Sequence, residues 1–350
     1  MKPAVARDLP SRLERQASFC TVMGAALYGT VLRALAADYR SGGPVYELFD
    51  ADDELAGRSS IGLRLMAALH FDALTGFATK LAARFPSCGG DGDAERASHD
   101  AIAWVGARAA HVAVRCNATP QTNEVARSMP LLGGVLTVAA KTGLPVRLYD
   151  IGSSAGLNAR LDRYRYAGNG WQWGDAHSPL LLRNHAKAGM PRHLDARLEI
   201  ADRGACDLHP LDIGSEHDRT TLRSYVWADQ LERFERLDRA MQAASSEPMA
   251  VERADLFEWI PRRAAPAPGT TAVVMQSVVS NHLSPSGRER LVATIERLAS
   301  MATNDGPFAW LRMEDEGAAF VTRVTLWPGA RETTIATSDG HGQSLAWVDS

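Results

Sequence analysis

The segment VRLYDIGSSAGLN, residues 146–158, holds an acid at 150, glycines at 152 and 156, and two serines between them. Two chemistries fit this spacing. GSSAG satisfies G-x-S-x-G, in which a sharp strand-to-helix turn exposes Ser154 as a nucleophile, and Asp315 and His341 follow in the chain order that a general-base relay needs. Taken by its glycines, the same stretch is an acid-ended strand and a small-residue turn, where the missing side chains admit a ligand and a helix N-terminus supplies N–H groups. Asp150 would then orient the loop or receive an amino group. Position separates the two readings. A nucleophile turn of the first kind comes deep in a sheet, after earlier strands and an oxyanion loop, whereas residues 146–151 form the first strand of this chain and follow only helical pattern.

The surrounding chain must build the sheet. Residues 11–143 carry apolar residues at three- and four-residue spacing with almost no alternation, which predicts an α-helical N-terminal region with helices over about 13–39, 63–85, 97–116 and 123–141. Breaks rich in Gly, Ser and Asp at 41–44 and 87–93 separate them. After Gly143-Leu144-Pro145 the pattern changes: VRLYDI reads as a strand and 157–166 as the following helix. Further strands are expected at 224–228 (SYVWA), 249–253 (MAVER), 271–277 (TAVVMQS) and 308–313 (FAWLRM), with helices at 230–244 and 288–302. A closing run of strands is expected at 321–327, 332–337 and 344–348. Alternation of strands with helices implies a parallel sheet, and strands in succession imply antiparallel additions at its edge. The expected division is a helical region at 1–143 and an α/β domain at 144–350. Residues 167–223, rich in Gly, His, Asp and Pro, read as an irregular insertion covering the site.

Three of the expected strands end in acids. Asp150 closes the first. Asp229 follows SYVWA, where a carboxylate can accept from both hydroxyls of a ribose; the competing role is a helix N-cap. Asp255 follows MAVER, where it would accept from an adenine amino group or cap a turn. Each such charge-assisted bond contributes on the order of 1.5–3 kcal/mol. A G-x-G-x-x-G pyrophosphate cradle is absent, which disfavours a hydride-transferring dinucleotide enzyme. QTNEVAR (121–127) follows Thr119-Pro120 and opens the helix before the first strand. There Gln121, Asn123, Glu124 and Arg127 would contact ligand, or cap the helix and form a surface ion pair. His282, after the fourth strand, is a candidate general base for a hydroxyl or amine acceptor, and Glu124 is a second catalytic candidate. Arg160, Arg163, Tyr164, Arg165 and Tyr166 mix basic and aromatic groups that suit an acidic or aromatic substrate, or plain packing.

The pattern Asp150-x-Gly152-x-Ser154-x-Gly156 resembles the first motif of class I S-adenosylmethionine-dependent methyltransferases, with Ser154 where glycine is commonest. The resemblance implies a Rossmann-like, mostly parallel sheet with antiparallel C-terminal strands, preceded here by the helical region. It implies S-adenosylmethionine as cofactor, held by Asp150, Gly152, Ser153, Ser154, Gly156, Asn158, Asp229, Gln230, Asp255, Leu256, Gln276 and Ser277. Gln121, Asn123, Arg127 and Tyr164 would form a lid. The implied reaction is methyl transfer to a small molecule, for which the protein chiefly aligns methyl and acceptor and excludes water. Over a longer span, QTNEVAR, IGSSAGLNARLDRYRY, VWADQLE (226–232), QSVV (276–279), AWLR (309–312) and LWPG (326–329) resemble a bacterial family catalogued as domain of unknown function family 2332, from about residue 12 onward. Two alternatives stay open beside methyl transfer: a serine hydrolase using Ser154, Asp315 and His341, and a non-catalytic sensor of S-adenosylmethionine or a nucleotide.

Whole-chain features bound the partners. With 38 basic and 41 acidic residues among 350, the net charge of −3 argues against generic attraction to nucleic acid or anionic membrane, so the expected partner is a small molecule. Four dispersed cysteines include no C-x-x-C pair, and the spacing of Cys206, Asp207, His209, Asp212 and His217 matches no closed zinc pattern; no metal is expected. The N-terminal stretch lacks the apolar core of a signal peptide, and no run reads as a membrane span, so a cytoplasmic location is expected.

Overall fold

The computed structural model describes residues 8–184 and 189–348. It divides into two compact units: Met1–Thr122 with Gly214–Arg236, and Asn123–Ile213 with Leu237–Ser350. The boundary expected at 143 marks only the change from helix to strand.

The first unit is helical. Its main helices are α1 (Leu9–Val22), α2 (Ala26–Ser41), α3 (Ile61–Leu74) and α4 (Ala94–Asn117). Their apolar stripes meet in a core that includes Leu13, Leu32, Leu35, Leu65, Leu69, Phe85 and Val105. Asp93 caps α4 by accepting from Arg96 N, and Gly42 ends α2 in the left-handed conformation. His70 is buried, with Nε2 2.7 Å from Ser87 Oγ and Nδ1 3.1 Å from Tyr28 Oη.

The SYVWA strand does not exist. Ser224 ends the helix Glu216–Ser224, while Trp227 and Ala228 lie in the helical core. A short apolar run has the same composition in a buried strand as in a buried turn, so periodicity cannot separate them.

The second unit is built on an eight-stranded sheet. Its strands are β1 (Val146–Ile151), β5 (Ile200–Asp207), β6 (Glu252–Arg253), β7 (Thr271–Ser277), β8 (Phe308–Asp315), β9 (Phe320–Trp327), β10 (Arg331–Ser338) and β11 (Ala346–Trp347). The order is β11-β10-β9-β8-β7-β1-β5-β6. Pairing is parallel from β6 to β8 and antiparallel from β8 to β11. This is an α/β architecture with a mostly parallel sheet, antiparallel C-terminal strands and N-terminal helices.

The neighbour of β1 comes from inside the expected irregular insertion. β5 carries Asp202 and Arg203 in mid-strand, which hid it from an apolar pattern; Asp202 accepts from Tyr149 Oη at 2.7 Å, and Arg203 pairs with Asp162 at 2.6 Å. The rest of the insertion includes a small sheet of β2 (Arg165–Gly168), β3 (Trp171–Trp173) and β4 (Leu181–Arg183), ordered β3-β2-β4. The helix expected at 157–166 is a 3-10 segment, Asn158–Arg163, and MAVER supplies only the two residues of β6.

Three helices matter for the site: α5 (Ser128–Thr142), α6 (Leu256–Arg263) and α7 (Pro285–Ala299). On one face Tyr149, Ile151, Cys206, Val274 and Phe308 share a core with Trp259 and Ile260 of α6 and Leu291 and Ile295 of α7. Strand alternation turns Leu148, Asp150 and Leu311 to the other face, where Gly134 of α5 meets Leu311. Asp150 therefore ends β1 on the α5 face.

Candidate functional site

Strand order locates the site. From β1 the chain moves outward to β5 and β6, then returns to β7 and β8 on the opposite side. In open parallel sheets such a reversal leaves a crevice outside the carboxyl ends of the strands, where ligands bind. Asp150 lies there, paired in register with Ala205 of β5 and Met275 of β7. Its side chain is only 4% exposed and makes no hydrogen bond among the described residues. Asp207, two residues beyond Ala205, lies on the same face at the end of β5. Burial, and after it the Asp207 charge, raise the Asp150 pKa well above the usual carboxylate value.

The following turn is strained and internally bonded. Gly152, Ser154 and Gly156 have φ of +62°, +56° and +67°. Glycine fits at 152 and 156, where an added Cβ would stand 2.9 Å from Val279 Cγ2 and from Met249 Cε respectively. Side chains of the protein thus fill the space that sequence reasoning left for a ligand. The amides are committed too: Ser153 N donates to Cys206 O, Ser154 N to Asp207 Oδ2 at 2.8 Å, Gly156 N to Ser153 O and Leu157 N to Asn123 Oδ1 at 3.2 Å. Such a turn offers little to a phosphate.

The other expected residues divide between the units. Asn123, Glu124 and Arg127 do not share a helix face, because α5 starts only at Ser128 after the short 3-10 turn Val125–Arg127. Asn123 and Glu124 nonetheless adjoin the β1 turn within the second unit. Ser128 Oγ donates to Asn158 Oδ1 at 2.8 Å, Asn158 Nδ2 donates to Glu124 O at 3.4 Å, and Glu124 Oε1 accepts from Ala126 N. Arg127 Nε donates to Gly340 O, while buried Tyr164 donates to Leu157 O at 2.6 Å. Gln121 belongs to the first unit, as do Asp229 and Gln230. Asp229 caps α2 by accepting from Leu27 N at 2.9 Å, and Gln230 Nε2 donates to Met23 O. Neither stands at a strand end.

Asp255 is exposed and caps α6, accepting from Phe257 N at 2.8 Å, with Leu256 as the first residue of that helix. Gln276 is buried with both ends of its amide engaged: Nε2 donates to Glu314 Oε1 at 2.6 Å and Oε1 accepts from Trp310 Nε1 at 3.0 Å. Ser277 ends β7, and exposed His282 closes the 3-10 turn after it. Sequence reasoning missed Asp207 and Glu314. Both are acids at the end of parallel strands, the signal used for Asp150, but β5 was not recognised and β8 was ended two residues early. Among the described residues, no cluster of three or more His, Cys, Asp or Glu side chains could hold a metal, and no helix is long and apolar enough to cross a membrane.

Residues 10–347 match the model of a family described as an uncharacterized protein conserved in bacteria (DUF2332), and the chain belongs to that family. No curated protein and no solved structure matches it.

Proposed function

We propose that this DUF2332 protein binds S-adenosylmethionine at the carboxyl edge of β1 and β5 and directs its methyl group to a small-molecule acceptor. The carrying observation is Asp150, a largely buried acid with no hydrogen-bond partner among the described residues, at the strand where the sheet order reverses. A buried polar group without a partner is costly. A ligand bearing an ammonium group supplies what Asp150 lacks, and its positive charge draws the carboxyl toward the ionised form.

Further observations support the reading. The parallel order β6-β5-β1-β7-β8, with antiparallel strands beyond, is compatible with the Rossmann-like core this reading needs. Asp207 takes over the role expected of Asp229: each of its oxygens accepts one backbone N–H, from Ser154 and His209, which leaves acceptor capacity for a ribose diol. Asp255, two residues after the next strand and N-cap of α6, would be the counterpart for an adenine amino group. A turn whose amides are already engaged suits a ligand without phosphates. In this reading the chain's residues bind, orient and exclude water, and the cofactor supplies an activated methyl group. His282 remains the candidate base and Glu124 the second catalytic candidate.

Calorimetric titration with S-adenosylmethionine and S-adenosylhomocysteine tests this. Wild type and Asp229→Ala are expected to bind alike, and Asp207→Asn at least tenfold more weakly. Folded wild type that binds neither ligand would sink the proposal. A second reading draws on the φ of +56° at Ser154, which suits a strained nucleophile turn. Its partner Asp315, however, is exposed and accepts from Gly317 N in the turn after β8. Labelling of Ser154 by a fluorophosphonate would favour the hydrolase, and binding without transfer across a broad acceptor panel would favour the sensor.

A further inference from the structure

Glu314, on β8, is bonded to β7 and to the turn that follows β7, on one side of the strand reversal. Its Oε1 accepts from Gln276 Nε2 at 2.6 Å and from Val279 N at 3.1 Å, and both oxygens lie 3.3 Å from Ser280 N. Val278 N donates to Met313 O at 2.8 Å. Together these bonds hold Val278 at a φ of +60°. A β-branched residue adopts that conformation only where its surroundings over-determine it, and such strain gathers at functional sites. The next side chain, Val279, is 7% exposed and seats its Cγ2 over Gly152, 2.9 Å from where a Cβ would stand. The strained turn after β7 is thus pressed onto the turn after β1, and these are the two strands at which the sheet order reverses.

We propose that Glu314 is a positioning residue for the ligand crevice: it fixes the turn at 278–280, and through Val279 on Gly152 it holds the turn at 152–157 in its binding conformation. It touches no ligand. Three backbone or side-chain donors converge on one carboxylate, so a neutral side chain that also brings an N–H donor into the same space cannot serve them all. The turn after β7 also carries Asn281 and His282, so the same carboxylate sets where the acceptor side of the crevice begins. Only the ligand-binding arm of the test rests on the S-adenosylmethionine reading.

The experiment measures amide hydrogen exchange over the full chain, with thermal unfolding as a check on folding. In Glu314→Gln, exchange is expected to rise at least tenfold at 278–282 and also at 152–157, while 271–275 keeps its protection. The double variant Q276E/E314Q, which restores an amide facing a carboxylate, is expected to recover both segments. Val279→Ala, which leaves the Glu314 bonds intact, is expected to loosen 152–157 alone, and it carries the test if Glu314→Gln does not fold. S-adenosylhomocysteine affinity is expected to fall at least tenfold in Glu314→Gln and return in the double variant. Unchanged exchange at 278–282, or a rise there without one at 152–157, overturns the proposal, as does retention of affinity with both segments loosened. Wild type that does not bind S-adenosylhomocysteine ends the cofactor reading, and the exchange results then decide the positioning role by themselves.

Discussion

Replacing Asp150 with asparagine should stabilise the protein while weakening its proposed function. The wild-type carboxyl is largely buried, has no donor among the described residues and lies near Asp207, so burial and that like charge raise its pKa well above 3.8. In the unfolded chain it titrates at its ordinary value. Between the two values the folded state keeps a proton that the unfolded state has released, so stability falls as pH rises, by about 1.4 kcal/mol per pH unit, until the folded-state carboxyl ionises. Asparagine has no such equilibrium. The unfolding free energy of Asp150→Asn relative to wild type should therefore grow by about 1.4 kcal/mol per unit from pH 4 upward and level off at the folded-state pKa. Urea unfolding at half-unit steps from pH 4 to 8, followed by circular dichroism, reads both slope and plateau. Saturating S-adenosylhomocysteine should raise the wild-type midpoint and leave that of the variant where it was. A difference independent of pH, or a variant that loses stability against wild type as pH rises, would refute the reasoning from an unpartnered buried acid.

Gly152→Ala should cost roughly 1–2 kcal/mol for the left-handed backbone alone, with a further loss from displacing Val279; adding Val279→Ala should recover the second part in thermal unfolding. His70, whose pKa burial lowers to about 4, refuses a proton that the unfolded chain takes up below pH 6.5. Helical-unit stability should therefore drop by about 3 kcal/mol between pH 6.5 and 4, and His70→Gln should flatten that dependence in unfolding curves. Asp229→Ala should lower stability by about 1 kcal/mol through loss of the α2 cap and leave S-adenosylhomocysteine affinity within about twofold, since Asp229 ends no strand.

What the sequence revealed depended on whether each element satisfied its own chemistry locally. β1, β7 and β8 were legible because burial on both faces leaves an almost unbroken apolar run. β5 was not, because Asp202 and Arg203 are matched by Tyr149 and Asp162, more than forty residues away in the chain. The missing strand led the ribose role to Asp229 and left Asp207 in what looked like a polar loop. SYVWA carried a strand's composition but fills a helical core. Helical periodicity over 13–39 was real, yet Gly24 at φ +82° breaks it into two helices. The link from Glu314 to Gln276 joins residues 38 apart, a separation no local pattern reports.

The helical unit is discontinuous in the chain, and this sets an order on its synthesis. Trp227 and Ala228 sit in its core, Ser87 N donates to Ala228 O, and Asp229 caps α2. A polypeptide emerging N-terminus first cannot close that core when residue 122 appears; it must wait until 236 has followed, by which time β1 to β5 have also emerged. At ~5–20 residues per second the delay is roughly 6 to 23 s. During that interval the nascent chain shows an unfinished apolar surface, the kind of transient exposure that favours aggregation. A fragment ending at residue 143 would carry the same open surface for its whole lifetime.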